Sequence, residues 1–355
     1  MIVIQKDTKT KVPKHFHNVN NVCAYIYDQL TEILSHPFYM DMGNSNFDFG
    51  DDEELKAAFN NSNDHPLDIL HKAERSYEIE IIVTKHVVMS IIADMVNFIY
   101  ESIIIAQKCK MSVAYALLRK PFTDQLLILE QILADRKDFI DRYYFDGDPQ
   151  KYDPSARGLD KKAIIDSALA KLGSVVFQSD IIYKLRYDKV FEPGINAFSN
   201  HALHIVTNDK SYKTERQGLN FTFPFEDDDI NGLFEHYYYS VSILLIYTAS
   251  VVDKIIFELI ENRDGRREEK MFKRFIATMM LYDDEEKAFS KKMYLMFSKM
   301  LVTKCEICKH VNKFTKRDFE NYFYEHLFYC KKCYNPVNLS KLALEMLDQS
   351  LQLSV

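Results

Sequence analysis

The stretch that decides the fold is IEIIVTKHVVMSIIADMVNFIYESIIIA, residues 79–106. Ile81, the Lys85 stem, Val88, Ile92, Met95, Ile99 and Ile103 recur at three and four, the period of one helix face. Lys85, Asp94 and Glu101 interrupt the run. A second apolar run, YYYSVSILLIYTASVV (237–252), has 16 uncharged residues between His236 and Asp253. A spanning helix needs about 20 predominantly apolar residues. This run is short and rich in Tyr, Ser and Thr. Both stretches therefore read as buried core helices, and no membrane partner is expected.

Composition supports an all-α class. Glycine is scarce, 9 of 355 residues, whereas strand-rich and nucleotide-binding α/β folds need it for turns and close backbone approach. No GxGxxG and no GxxxxGK[ST] occurs. The net charge of −7 argues against bulk coating by nucleic acid but leaves room for a local basic patch. The N-terminal MIVIQKDTKTKVPKHFHNVN has no apolar run behind a basic start, so no secretory signal is expected and the cytoplasm is the expected compartment.

Outward from residues 79–106, the pattern predicts a bundle of long helices with a small C-terminal zinc-knuckle module. Residues 1–66 read as an irregular N-terminal segment with short helices. Residues 67–301 read as the helical bundle domain, and 302–355 as a four-cysteine zinc module with a terminal amphipathic helix (Leu339, Leu342, Ala343, Met346, Leu347). Within the bundle, helices are expected at about 68–108, 112–144, 159–190, 195–208, 230–261 and 268–301. Pro121 predicts a kink near Lys120. DGDPQKYDPSARG (146–158) and FEPG (191–194) read as connectors, and Leu219–Phe223 as a short strand. No repeat of fixed period is visible.

The C-terminal KCEICKHVNKFTKRDFENYFYEHLFYCKKC (304–333) carries four of the six cysteines. Cys305 and Cys308 form one Cys-x-x-Cys pair, and Cys330 and Cys333 another. Zinc takes four thiolates in a tetrahedron, and a reducing compartment favours metal over disulfides for this pattern. A structural Zn2+ held by Cys305, Cys308, Cys330 and Cys333 is the expected cofactor. Four thiolates close its shell, so no position is left for water. The glycine that often follows the second cysteine is replaced by Lys309 and Tyr334. Between the pairs, Thr315 and Asp318 match a helix-start signal.

Lys309, Lys313, Lys316, Arg317, Lys331 and Lys332, interleaved with Phe and Tyr, are the candidate nucleic-acid contacts, to RNA or DNA. Glu306, Asp318, Glu320 and Glu325 offset four of these six charges. The same aromatics are also what a tiny domain needs for a core. In the body, Arg186, Asn200, His201 and His204 are polar among apolar neighbours. His201 and His204, three apart, share a helix face. They form a candidate metal or acid–base pair, or else hydrogen-bonded histidines of the core or its edge. Arg119 is expected to pair with Glu130, Asp124 or an acid on a neighbouring helix.

Long helices, AYALLRKPFTDQLLILEQIL (114–133) and SNHALHIVT (199–207) together resemble the HEPN-type helical families of bacterial defence and toxin proteins, over about residues 68–262. HEPN ribonucleases carry a His shortly downstream of an Arg. Here Gly194, Ile195 and Asn196 hold that upstream place for His201, and Ala197, Phe198 and Ser199 hold it for His204. The resemblance carries over only to His201 or His204, with Arg119 or Arg186 as a distant substitute. Three functions are compatible with these residues. One is a nucleic-acid-associated protein, in defence, guided by its zinc module. Another is an interaction scaffold that binds a partner protein or a second copy. The third is a hydrolase using His201 and His204.

Overall fold

A computed structural model describes residues 2–44, 49–174, 176–211, 213–220, 226–262, 265–281 and 287–337. The molecule is a helical bundle with almost no strand. Its principal helices are α1 (His17–Ser35), α2 (Ser76–Ala106), α3 (Met111–Arg119), α4 (Leu126–Ala134), α5 (Lys161–Leu172), α6 (Ser179–Tyr187), α7 (Ile195–Leu203), α8 (Asp227–Leu259), α9 (Arg266–Leu281) and α10 (Lys287–Met300).

The two apolar stretches become the long helices α2 and α8. Both are long and apolar enough to cross a membrane by composition. α8 runs through the core, with 78% of its apolar window buried. α2 buries one face, through Ile79, Val83, Val88, Ile92, Met95, Ile99 and Ile103, and 39% of its window. The buried hydroxyl of Ser102 ties three helices together: it donates to the Ala114 carbonyl at 2.8 Å and lies 2.8 Å from the Tyr237 hydroxyl.

The N-terminal segment departs from its irregular reading. Residues 17–35 form α1, which packs on α8 and α2 and buries Val22, Cys23, Ile26, Leu30 and Ile33. The residues before it are pinned down too. Asn20 donates to the Ile2 carbonyl at 2.9 Å, and Asn21 brackets the Ile4 backbone at 2.7 and 3.0 Å. Asn20 and Asn21 are the groups that satisfy this extended chain.

Pro121 acts as expected. The helix widens into a π-turn at Lys120–Gln125 and resumes as α4. A single helix over 159–190 is not formed: Gly173, at φ 61°, ends α5 in a left-handed cap. Gly194 is also required. A Cβ there would lie 2.8 Å from the Phe191 carbonyl oxygen. The expected terminal helix lies outside the described residues, as does most of the expected strand at 219–223.

Candidate metal centre

Residues 303–312 and 328–337 fold as two copies of one device. Strands β1 (Thr303–Lys304) and β2 (Val311–Asn312) pair antiparallel around the first Cys-x-x-Cys, and β3 (Phe328–Tyr329) and β4 (Pro336–Val337) around the second. Lys309 N–H donates to the Cys305 carbonyl at 3.0 Å, and Tyr334 N–H donates to the Cys330 carbonyl at 2.9 Å. Cys305 N–H donates to His310 O at 2.8 Å, and Cys330 N–H donates to Asn335 O at 2.9 Å. The two knuckles match at an offset of 25 positions, Cys305 to Cys330 and Cys308 to Cys333, a repeat too short and too substituted to read from sequence. Lys309 (φ 60°) and Tyr334 (φ 58°) occupy the left-handed conformation where glycine is usual.

This geometry brings the four sulfurs together. All lie within 4.8 Å of one another. Cys305 Sγ is 3.6 Å from Cys333 Sγ, and Cys308 Sγ is 3.5 Å from Cys330 Sγ. No disulfide links them. Sulfurs held tetrahedrally at about 2.3 Å from zinc would be roughly 3.8 Å apart, so the donor set fits one four-coordinate ion. Backbone dipoles prepare the site. Burial opposes ionisation of Cys330, but the N–H groups of Cys333 and Lys332 outweigh it and lower the thiol to about 6. Cys308 moves up to about 12. The His310 N–H favours its thiolate, yet burial and the three neighbouring sulfurs prevail. Four thiolates need a cation between them, and binding one releases the remaining protons.

Helix α11 (Lys316–Glu325) joins the knuckles, opened by a capping box between Thr315 and Asp318. It fastens the ribbon to the body. Phe272 of α9 meets Phe319 and Tyr322, with ring centroids 6.1 and 5.7 Å apart. Tyr25 of α1 meets Phe323 and Tyr324 at 5.7 and 4.8 Å. Tyr324 OH donates to Asn18 at 3.0 Å. Ribbon and bundle share one apolar cluster, so the module is built into the body and is more than an appendix.

The aromatics expected to be interleaved with lysine mostly serve this junction. Phe314, Phe319, Tyr322, Phe323 and Phe328 are buried, while Tyr329 and Tyr334 are exposed, Tyr334 by 79%. Among the candidate cations, Lys331 pairs with Asp318 at 2.5 Å and Lys316 with Glu320 at 3.6 Å. Lys309 donates to the Glu306 carbonyl at 2.6 Å. Lys309, Lys313, Arg317 and Lys332 are exposed.

The candidate catalytic residues are dispersed by role. Arg186 is fully buried and paired with Glu130 at 2.6 Å, which makes it a core ion pair; Glu130 is therefore not the partner of Arg119. Arg119 is half-buried at the end of α3. His204 is the exposed C-cap of α7. The His201 side chain lies outside what is described. The buried helix faces around Arg186 leave no shared cavity with His204 among the described pockets.

One buried charged face gave no sequence signal. The α9 segment RREEKMFKRF is so densely charged that it reads as a solvated face, yet Lys270, Lys273 and Arg274 are buried. Only their spacing of three and four with Arg266 marks a shared side. Comparison with protein-family models, curated proteins and solved structures yields no match.

Proposed function

We propose that the chain is a nucleic-acid-associated protein in which Cys305, Cys308, Cys330 and Cys333 hold a structural Zn2+ and the folded ribbon makes the contact. The observation that carries this reading is Tyr334. It is 79% exposed, although a side chain there must adopt the left-handed conformation. In the matched knuckle the same position is Lys309, and Lys332 stands two residues before Tyr334. An exposed ring beside cations suits stacking on an unpaired base with phosphate contact alongside. Residues 302–337 hold seven basic and four acidic side chains; four thiolates on one Zn2+ add −2 and leave the ribbon near neutral, so the contact rests on the local cations beside Tyr334. Zinc supplies the fold and no chemistry, because its shell is closed by sulfur. A defence role and the HEPN-type likeness are the biological frame of the proposal.

The test is a panel of labelled single- and double-stranded RNA and DNA against the zinc-loaded chain, with salt varied. Expected is binding that weakens as salt rises and falls in Tyr334→Ala and Lys332→Ala. Absence of binding at low salt sinks the reading. A second reading, a protein-interaction platform, is favoured by one observation: Ile307 and Val311 on the first knuckle are 66% and 52% exposed. That reading predicts an association insensitive to salt and lost in Ile307→Ser.

A further inference from the structure

α9 carries Arg266, Lys270, Lys273 and Arg274 on one side, and that side is turned inward. The side chains of Lys270, Lys273 and Arg274 are only 5%, 6% and 5% exposed. The acids that meet them are Glu32 from α1, Asp253 from α8 and Glu269 from α9 itself. Glu32 is shared by Arg266 and Lys270, the latter at 3.4 Å. Asp253 is shared by Arg274 at 2.5 Å and Lys270 at 3.6 Å. Glu269 serves Lys273 at 2.5 Å. Among the described residues these four cations share three carboxylates, and a buried charge without a full counter-charge is costly.

This face opens on a cleft of about 560 Å3 between α1, α9 and α11. Arg266, Lys270 and Lys273 line it, with Phe323 and His326 supplied by the ribbon. Lys273 Nζ also meets Nδ1 of His326, which lies 3.9 Å from Glu269. Asp28 is the remaining acid on the walls, and burial pushes its carboxyl above the usual range. Arg266 supplies an independent sign. Its Nε–H is buried and has no hydrogen-bond partner among the described residues, whereas buried polar groups are normally paired.

We propose that this cleft binds a small phosphorylated molecule, its phosphate oxygens taken by Arg266, Lys270 and Lys273. Phosphate supplies an acceptor for the orphaned Arg266 N–H beside two buried lysines, and the guanidinium fork suits its geometry. The volume falls in the range of small-molecule sites, about 300–1,000 Å3. The site is separate from the ribbon tip, since Tyr334 and Lys332 do not line it.

The zinc-loaded full chain is titrated with inorganic pyrophosphate by calorimetry and thermal shift. Expected are saturable binding and a raised Tm, both unchanged in Tyr334→Ala. Arg266→Gln is expected to weaken binding by about tenfold or more. Its side chain is a quarter exposed, so the change leaves the core filled. Lys273→Met, with its helical content checked by circular dichroism, is the second variant and is expected to do the same. A 5′-phosphorylated oligonucleotide forms the other arm. If it binds through Arg266 where pyrophosphate does not, the small-molecule assignment is overturned. Lack of saturable pyrophosphate binding, or binding untouched by both variants, overturns the proposal.

Discussion

The Arg186 guanidinium meets the Glu130 carboxylate at 2.6 Å, and neither side chain has any exposed surface. The pair is well supported. Arg186 Nε donates to the Phe122 carbonyl at 2.6 Å, and its second terminal nitrogen donates to Tyr187 OH at 2.9 Å. Tyr247 OH donates to Glu130 at 2.7 Å. The contact therefore ties α4, α6 and α8 together at the π-turn after Pro121.

Removing one partner leaves the other charged in the core. Glu130→Gln is expected to lose about 3–5 kcal/mol of unfolding free energy, measured by urea denaturation. Arg186→Met combined with Glu130→Leu is expected to regain most of that loss, because the two apolar side chains fill the site without charge. A loss below about 1 kcal/mol for Glu130→Gln would mean that water reaches the pair.

Chelation should unfold the two knuckles, whose two-residue strands have little core of their own without the metal. Phe314 and Phe328, which pack on each other, then become accessible, and fluorescence of a hydrophobic dye is expected to rise. Thiol counting at pH 8 gives a sharper readout. In the zinc-loaded protein the half-buried Cys109 is the only thiol expected to react. Chelation should add the four ribbon cysteines. Four that react equally fast before and after chelation would exclude a metal at this site.

Cys23 supplies a pH test. It is fully buried, and burial pushes its thiol from 9.0 up to about 12. The folded state then keeps a proton that the unfolded chain gives up. Its contribution is complete below about pH 9 and fades as pH rises towards 12. Cys23→Ala is expected to lower stability at neutral pH and to lessen its decline between pH 9 and 12. Tyr27, also raised to about 12 by burial, remains and keeps part of that slope. An identical slope in both proteins would show that Cys23 ionises without resistance.

Lys309 stands where a knuckle normally has glycine, at φ 60°. A left-handed side chain costs roughly 1–2 kcal/mol, and glycine gives back about 0.5–1 in backbone entropy. Lys309→Gly is therefore expected to tighten zinc up to about tenfold in a chelator competition, because metal binding and ribbon folding are linked. Weaker zinc binding in this variant would mean that the Lys309 bond to the Glu306 carbonyl matters more than the backbone strain.

Much of the helical architecture was legible because it is periodic. Ile81 to Ile103 announces α2 without any knowledge of its neighbours, and Pro121 announces its π-turn. α1 was harder to see. Val22, Ile26, Leu30 and Ile33 have helical spacing, but the anchoring of the chain before them, Asn20 and Asn21 bonded to the Ile2 and Ile4 backbone, spans 17 and 18 positions. At the metal centre the four ligands were legible from two short spacings. Which of the aromatics between the cysteines are buried is open in the sequence, since Phe319 is covered only where α11 meets Phe272 of α9.

The sequence alone determined the helical class and the two Cys-x-x-Cys pairs, because each rests on residues a few positions apart, where backbone geometry converts spacing directly into proximity. Only the tertiary structure decided which charges meet. Arg186 takes Glu130 from 56 positions away, and Arg266 takes Glu32 from 234. Such choices follow from how helix faces exclude water when they pack, and no local pattern records which distant carboxylate that packing will deliver.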